Sequence, residues 1–351
     1  MADKKAELFV KLDKNLIRCK ACENNCVIPL NKTGICGVRA NFNGKGKILV
    51  NNQVAAIALD PIEKKPLFHF LPGSRILSFG TVGCNMRCAF CQNWEISQAS
   101  KNLSSSKETE KIIKEMSEAI NPKDIVNLAI KENVQSLAAT YNEPTVFFEF
   151  AYEVFKLAKK KGLKTVFVSN GYQSIESIEY LDGVLDGINI DLKSMSNNFY
   201  EKYCGAKLKP VLRNIKEFYN RDIWIELTTL IIPNLNDSAK EIKKAAEFIK
   251  SISLDIPWHI TAFHPAYKML DKPKTPINTL FNCWETAKKV GLNYIYLGNV
   301  FAPEKESTYC PNCNSLLINR SGYLVENKAL IKGKCNFCKA KIPGIWDKKN
   351  F

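Results

Sequence analysis

The chain has 351 residues, 46% hydrophobic and 24% charged, with 50 Lys and Arg against 35 Asp and Glu for a formal charge of +15. This is the composition of an ordinary globular protein and excludes a disordered or fibrous chain. No apolar run approaches the length of a membrane span, so no membrane association is expected.

The first residues, Met1–Glu7, lack the apolar core of a signal peptide, and a cytoplasmic protein is expected. Thiols stay reduced there, so the thirteen cysteines are not read as disulfides. Eleven fall into three groups: Cys19, Cys22, Cys26 and Cys36; Cys84, Cys88 and Cys91; and Cys310, Cys313, Cys335 and Cys338. That grouping points to metal. Metal-bound thiolates would lower the formal charge by roughly five units, to about +10. The remaining basic residues lie on Lys-rich helix faces such as Lys159–Lys161. They read as solvated surface, with an anionic partner such as RNA as the competing reading.

The N-terminal segment carries Cys19-x2-Cys22-x3-Cys26-x9-Cys36, with Gly34 and Gly37 bracketing the last cysteine. Four thiolates so close in sequence can close on one ion, and zinc or a second iron–sulfur cluster both suit soft ligands. One alternating run, Ile48 to Ile57, predicts a strand or hairpin. Residues 73 to 302 then alternate strand and helix, the pattern of parallel βα units. Strands are predicted at 75–80, 134–140, 163–169, 187–191, 222–229, 257–263 and 293–298. Helices are predicted at 109–119, 122–132, 145–161, 174–181, 208–220, 238–251 and 277–290. The fold class is therefore α/β, a partial or complete (β/α) TIM-like barrel, with active residues at the C-terminal ends of its strands.

The first of those strand ends carries Cys84-x3-Cys88-x2-Cys91. Cysteine thiolates hold iron–sulfur clusters, usually four to a cubane. Three leave one iron open, and an open metal position is where chemistry occurs. A zinc loop with a remote fourth ligand is the competing reading. Polar residues gather at the other strand ends: Asn142 and Glu143, Ser169, Asp191 and Lys193, Thr228 and Thr229, and His264. Asp191 and Lys193 also suit a plain salt bridge, and His264 a satisfied core side chain. Cys204 is placed after the fourth strand, as a buried inert thiol or a group facing the cavity. Cys283, beside Phe281 and Trp284, reads as core. Cys310-x2-Cys313 and Cys335-x2-Cys338 flank a β-like run at 315–331 and read as a zinc-ribbon or rubredoxin-like module holding zinc or iron. Three domains follow: a knuckle and lead-in at 1–72, the barrel at 73–302 and the ribbon at 303–351.

The three-cysteine loop, with Phe90 before its last cysteine, resembles the signature of radical S-adenosylmethionine (SAM) enzymes. With Tyr141-Asn142-Glu143-Pro144, Asn189-Ile190-Asp191-Leu192-Lys193, Phe263-His264-Pro265 and both flanking cysteine quartets, the chain resembles the AmmeMemoRadiSam-system proteins, relatives of pyruvate formate-lyase activating enzymes. The resemblance implies one [4Fe–4S] cluster on Cys84, Cys88 and Cys91, and an oxidoreductase that cleaves SAM reductively to a 5′-deoxyadenosyl radical. It implies Phe90 near the adenine and SAM contacts from Asn142, Glu143, Ser169, Asp191, Lys193 and His264. It also implies an electron donor of flavodoxin or ferredoxin type, Memo-like and AMMECR-like partners, and a protein, RNA or small-molecule substrate. Glycyl-radical-enzyme activation and RNA modification are the alternatives within the family, and a metal-rich adaptor is the non-enzymatic one. Activating enzymes carry Gly-Gly where this chain has Tyr141-Asn142.

Overall fold

Seven short apolar runs become parallel strands because their side chains need cover on both faces. The computed structural model describes residues 8–103 and 105–347; Met1–Glu7, read above for its lack of a signal peptide, and the last residues of the ribbon segment, 348–351, lie outside them. The central sheet comprises β1 (Ala56–Pro61), β2 (Arg75–Gly80), β3 (Ser136–Ala139), β4 (Lys164–Ser169), β5 (Gly187–Asp191), β6 (Trp224–Ile231), β7 (Trp258–Ala262) and β8 (Ile295–Gly298). Its order follows the sequence from β1 to β8. β2 to β8 are parallel, and β1 runs antiparallel to β2 with Ala56 opposite Gly80. No pairing joins β1 to β8 among the described residues, so the sheet is open and the closed form of the barrel is not made.

The run at 48–57 does not form one strand. Lys45–Ile48 pairs with Arg39–Phe42, Gln53–Val54 pairs with Glu118–Ala119, and only from Ala56 does the chain enter the sheet. The break falls at Asn52, which adopts φ +60, a left-handed conformation that asparagine tolerates in turns.

The longer helices are α1 (Ser106–Met116), α2 (Pro122–Lys131), α3 (Phe148–Lys160), α4 (Leu208–Asn220), α5 (Ala239–Lys250) and α6 (Ile277–Val290), and the helix expected at 174–181 forms only over Ile175–Glu179. α3 buries Phe148, Ala151, Phe155 and Ala158, one stripe at helical spacing. α5 begins on a capping pair: the Ser238 hydroxyl accepts the Glu241 amide at 3.2 Å.

The strand register sorts the sheet's two faces. Leu77, Leu137, Phe167, Ile188, Leu227 and Ile260 belong to the large core shared with the helices. The opposite face carries Asn189, Asp191, Glu226, Thr228, His259 and Thr261, aligned across β5, β6 and β7. The lead-in segment covers the early part of that face: Ile62, Leu67, Phe70 and Leu71 pack with Ile76, Ala138 and Val166. Glu226 is fully buried and anchors this cover. It accepts the amides of Phe68 and His69 at 2.9 and 2.8 Å, the Trp224 indole at 3.0 Å, and faces His259 Nε2 at 2.7 Å.

The C-terminal segment forms a three-stranded antiparallel sheet, Thr308–Tyr309, Leu316–Ser321 and Leu324–Asn327, and a hairpin of Leu330–Ile331 with Lys334–Cys335. Its core includes Phe68 of the lead-in and Tyr294 and Tyr296 of the β8 region.

Candidate active site

β2 ends at Gly80, where a Cβ would stand 2.4 Å from the Thr140 carbonyl, so the chain after β2 and the chain after β3 touch at once. The three-cysteine loop follows. At Gly83, with φ +92, a Cβ would meet Val38 at 2.6 Å and the Cys36 carbonyl at 2.8 Å. Glycine there lets the N-terminal knuckle seat directly on the loop. Asn24 adds a bond from its side-chain amide to the Asn85 carbonyl at 2.9 Å.

Cys84 and Cys88 are buried and Cys91 is half-buried. Burial pushes the Cys84 and Cys91 thiols up. The Cys88 thiol is raised well above its ordinary range first by contact with Cys204 and then by burial. Two cations flank the loop. Lys101 donates to the Met86 carbonyl and acts on Cys84 and Cys88. Lys193 sits 2.9 Å from Asp191 Oδ2, and its ammonium lies 5.7 Å from the Phe90 ring. Burial works against the Lys193 charge, but Asp191 and the thiols of Cys88 and Cys204 outweigh it and hold the ammonium well above its usual range.

From the other side, a π-helical turn at Tyr200–Cys204 grips the loop. Arg87 N donates to the Cys204 carbonyl at 2.7 Å and Ala89 N to the Tyr203 carbonyl at 2.8 Å. The Tyr200 hydroxyl accepts Lys193 N at 3.0 Å.

The other expected site residues divide by exposure. Asn142 holds the loop: its Nδ2 donates to Thr81 Oγ1 at 3.1 Å and the Gly83 carbonyl at 2.7 Å. Glu143 is fully buried, with its oxygens taken by Thr145 N and Oγ1 at 3.1 and 2.5 Å, Ser169 Oγ at 2.9 Å and Asn170 N at 2.8 Å. Glu143 and Ser169 thus bond each other and tie the chain after β3 to that after β4. Phe90 is buried with its ring 5.8 Å from Phe199. Asp191 reaches solvent, with its side chain 38% exposed. His264 is exposed rather than packed as a core histidine. It lines a cavity of about 390 Å³ with Gln92, Leu230, Ala262 and Asn299, and Gln92 Nε2 bonds its carbonyl at 3.0 Å. A second cavity of about 480 Å³ shares Asn299 and runs to Phe301 and Tyr323 beside the ribbon. Thr228 bonds Asn189 at 2.9 Å and Thr229 bonds the Leu192 carbonyl at 2.7 Å, so both brace β5. Cys283 is buried in the main core.

Tyr141 adopts φ +72, a left-handed conformation. Its hydroxyl donates to Asp60 Oδ2 at 2.9 Å, Lys65 lies 4.7 Å from its ring, and Asn93 bonds its carbonyl at 2.7 Å. Those contacts offset the roughly 1 kcal/mol that a left-handed backbone costs a side-chain-bearing residue.

The C-terminal quartet has a compact donor set. Cys310, Cys313, Cys335 and Cys338 place their sulfurs all within 4.8 Å of one another, with Cys310 to Cys338 at 3.5 Å and Cys313 to Cys335 at 3.6 Å. Four thiolates at that spacing match one tetrahedral ion. At the N-terminus, Cys19, Cys22, Cys26 and Cys36 line one narrow cavity with Arg39. Arg39 Nε bonds Cys19 Sγ at 3.0 Å, and its two terminal nitrogens bond Glu149 at 2.7 Å each. Burial pushes the Cys36 thiol up to about 11.

Sequence reasoning missed Lys101, Arg39 with Glu149, Glu226 and the Cys88–Cys204 contact. Apart from Cys88, none of these residues belongs to a spaced cysteine motif, and each meets its partner only once the chain has folded.

The radical SAM superfamily model matches residues 79–249. An uncharacterized protein of Methanocaldococcus jannaschii is 39% identical over 97% of this chain and 98% of its own length. The pyruvate formate-lyase-activating enzyme of Streptococcus mutans is 25% identical over 55% of this chain and 72% of its own. Among solved structures, a domain of a pyruvate formate-lyase-activating enzyme from Bacteroides vulgatus superposes with TM-score 0.42 at 20% identity, covering 47% of this chain and 99% of that one. Radical SAM enzymes use a [4Fe–4S] cluster and SAM and need an electron donor. This chain belongs to the radical SAM superfamily.

Proposed function

We propose that the chain is a radical SAM enzyme whose cluster is held by Cys84, Cys88 and Cys91 in a partial (β/α) barrel spanning 73–302. The carrying observation is the loop itself, at the end of β2: three thiols in which Cys88 acts on the charge of both Cys84 and Cys91, flanked by Lys101 and Lys193. The loop fits the group in a further respect. Asn85 Nδ2, next to Cys84, is buried with no hydrogen-bond partner, a donor free for an added acceptor. When bound, the cluster supplies the electron that cleaves SAM to methionine and a 5′-deoxyadenosyl radical, which takes hydrogen from substrate.

The chain's own residues orient and bind. Asp191, half-buried at the end of β5, would accept from ribose hydroxyls, and Lys193 would pair with the SAM carboxylate. Phe90 shapes the adenine side, and His264 lines the cavity beside Gln92. Glu143, Asn142 and Ser169 act through the backbone, with Glu143 fixing the loops rather than offering a free oxygen to an ammonium group. The flanking modules, 1–72 and 303–351, each take a metal: zinc or a second iron–sulfur cluster on Cys19, Cys22, Cys26 and Cys36, and zinc or iron on Cys310, Cys313, Cys335 and Cys338. Partners follow from the reading: a flavodoxin or ferredoxin, Memo-like and AMMECR-like proteins, and a cytoplasmic setting. Glycyl-radical-enzyme activation rests on the names of the relatives, and RNA modification on the basic surface.

The test is anaerobic. The protein is reconstituted with iron and sulfide, reduced with dithionite and given SAM, and 5′-deoxyadenosine is measured. Formation that disappears when Cys84, Cys88 and Cys91 are all replaced by alanine is expected. A full reduced cluster that yields no 5′-deoxyadenosine, with an EPR signal unmoved by SAM, overturns the enzyme reading in favour of the adaptor.

A further inference from the structure

The cavity of about 480 Å³ has a size typical of small-molecule pockets, and the cluster has no use for it. Its wall draws on the lead-in segment at Glu63 and Phe68, on β7 and β8 at His259 and Gly298, and on the ribbon at Tyr323. It shares Asn299 with the cavity that holds His264 and Gln92, the neighbour of Cys91. Four charged residues line it: Glu63, Lys64, Lys274 and Glu306. Two are already matched. Lys64 pairs with Asp60 at 2.9 Å, and Glu306 accepts the Ala302 and Gly322 amides at 3.0 Å each. Glu63 is only half matched. It is buried, one of its oxygens accepts Gly73 N at 2.8 Å, and Oε2 has no partner. Burial pushes this carboxyl up, and the Arg320 charge opposes that through space while its bonds go to the Phe68 carbonyl and Thr308 Oγ1. A buried acceptor without a donor is costly until a ligand brings one. Lys274 is exposed and has no ion pair among the described residues. His259 adds a second acceptor. Glu226 accepts the Phe68 and His69 amides and the Trp224 indole as a carboxylate does, so His259 Nε2 carries the hydrogen of their 2.7 Å contact. Nδ1 then offers a lone pair, and it has no hydrogen-bond partner among the described residues. The rings of Phe68, Phe301 and Tyr323 give the wall an apolar surface.

We infer that this cavity is the substrate pocket and that it takes a free amino acid: Glu63 and His259 receive the ammonium group, Lys274 pairs with the carboxylate, and the aromatic wall receives the side chain. The charges left unmatched on the wall are one carboxylate oxygen and one ammonium, and a zwitterion answers both. A simple anion would face Glu63, and a simple amine would leave Lys274 without a partner. The substrate role rests on the reading that Cys84, Cys88 and Cys91 hold the cluster; the binding does not. In that role the 5′-deoxyadenosyl radical takes one hydrogen atom from a C–H bond of the bound amino acid. The products of that step are 5′-deoxyadenosine and a carbon radical, with no electron gained or lost overall.

The probes are the twenty protein L-amino acids, offered to the full chain and followed by saturation-transfer NMR, with dissociation constants from titration. Binding of at least one is expected. Glu63→Gln keeps the bond from Gly73 and is expected to weaken that binding roughly tenfold, the effect of losing one charge-assisted bond. Lys274→Ala, at an exposed position, is expected to weaken it severalfold, and Lys272→Ala, off the wall, controls for net charge and leaves it unchanged. Should the Glu63 variant melt early, the Lys274 variant carries the comparison. Binding by no amino acid overturns the inference, as does binding that neither Glu63→Gln nor Lys274→Ala alters. The role is read separately. The amino acid that binds is supplied perdeuterated to the reconstituted, reduced protein with SAM, and deuterium is expected in the 5′-deoxyadenosine by mass spectrometry. Deuterium-free 5′-deoxyadenosine overturns the substrate role. If no 5′-deoxyadenosine forms at all while binding still depends on Glu63 and Lys274, the cluster reading has failed and the amino-acid pocket stands.

Discussion

His69 is fully buried, with Nδ1 2.8 Å from the Pro343 carbonyl and Nε2 2.6 Å from the Tyr296 hydroxyl. One donor and one acceptor position suit the neutral ring, with Nδ1–H donating to Pro343 and Nε2 accepting from Tyr296. Burial lowers its pKa to about 4. In the unfolded chain a histidine titrates near 6.5, so between about 6.5 and 4 the unfolded state binds a proton that the folded state refuses. Stability from this residue is fully present above about pH 6.5 and is lost as pH falls toward 4, by about 3 kcal/mol. Thermal unfolding of wild type against His69→Gln between pH 7 and 4.5 checks this. The expected outcome is a shallower acid slope in the variant, and equal slopes reject it. The residue scale is also where sequence legibility was most uneven. The three-cysteine spacing is readable because ligands of one group cluster within a short loop. Glu226, His69 and Cys204 are not readable, because their partners, Phe68, Pro343 and Cys88, meet them only after folding.

At the scale of elements, the C-terminal quartet makes a definite prediction. Two hairpin turns bring four sulfurs within 4.8 Å of one another, and the half-buried Cys338 thiol is lowered to about 6 by a hydrogen bond with Asn312, poised to bind as thiolate. A metal that binds only the folded ribbon adds its binding energy to folding. Cys313→Ser, or chelation of the wild-type protein, is expected to remove about one equivalent of metal and to lower the melting temperature on the order of 5 °C. Metal analysis alongside calorimetry measures both, and loss of metal with no thermal shift sinks the prediction. The elements themselves were largely legible. The strand at 187–191 and the helices at 208–220 and 277–290 form over the residues their periodicity indicated. The antiparallel edge strand β1 was not, because Asn52 breaks an otherwise continuous alternating run. The π-helical turn at Tyr200–Cys204 was invisible, since its five residues carry no helical stripe and take their shape from the loop they hold.

At the scale of the whole molecule, composition changes at about residue 303, and the ribbon reads as a separate piece; its core does not separate. Phe68, Tyr294 and Tyr296 pack with Leu317, Ile318, Leu330 and Ile342 as one cluster. The tail adds backbone bonds, Leu71 N to Ile345 O at 2.7 Å and Ile345 N to His69 O at 2.8 Å. Arg320 is fully buried at the junction, bonding the Phe68 carbonyl and Thr308 Oγ1 at 2.7 Å each, with its guanidinium 4.4 Å from the Phe68 ring. A buried cation so enclosed is costly to lose, because its partners are then left without donors. Arg320→Met is therefore expected to cost about 3 kcal/mol despite its similar volume. Removing 303–347 altogether uncovers Phe68, Tyr294 and Tyr296 and strips the lead-in segment that Glu226 anchors over the polar face of the sheet. The truncated chain is expected to be insoluble or to bind the reconstituted cluster poorly, although no residue of the three-cysteine loop is touched. A soluble 1–302 protein that takes up iron and sulfide like the full chain and melts within a few degrees of it would show that the shared core is dispensable, and that the ribbon serves only as a surface for partners.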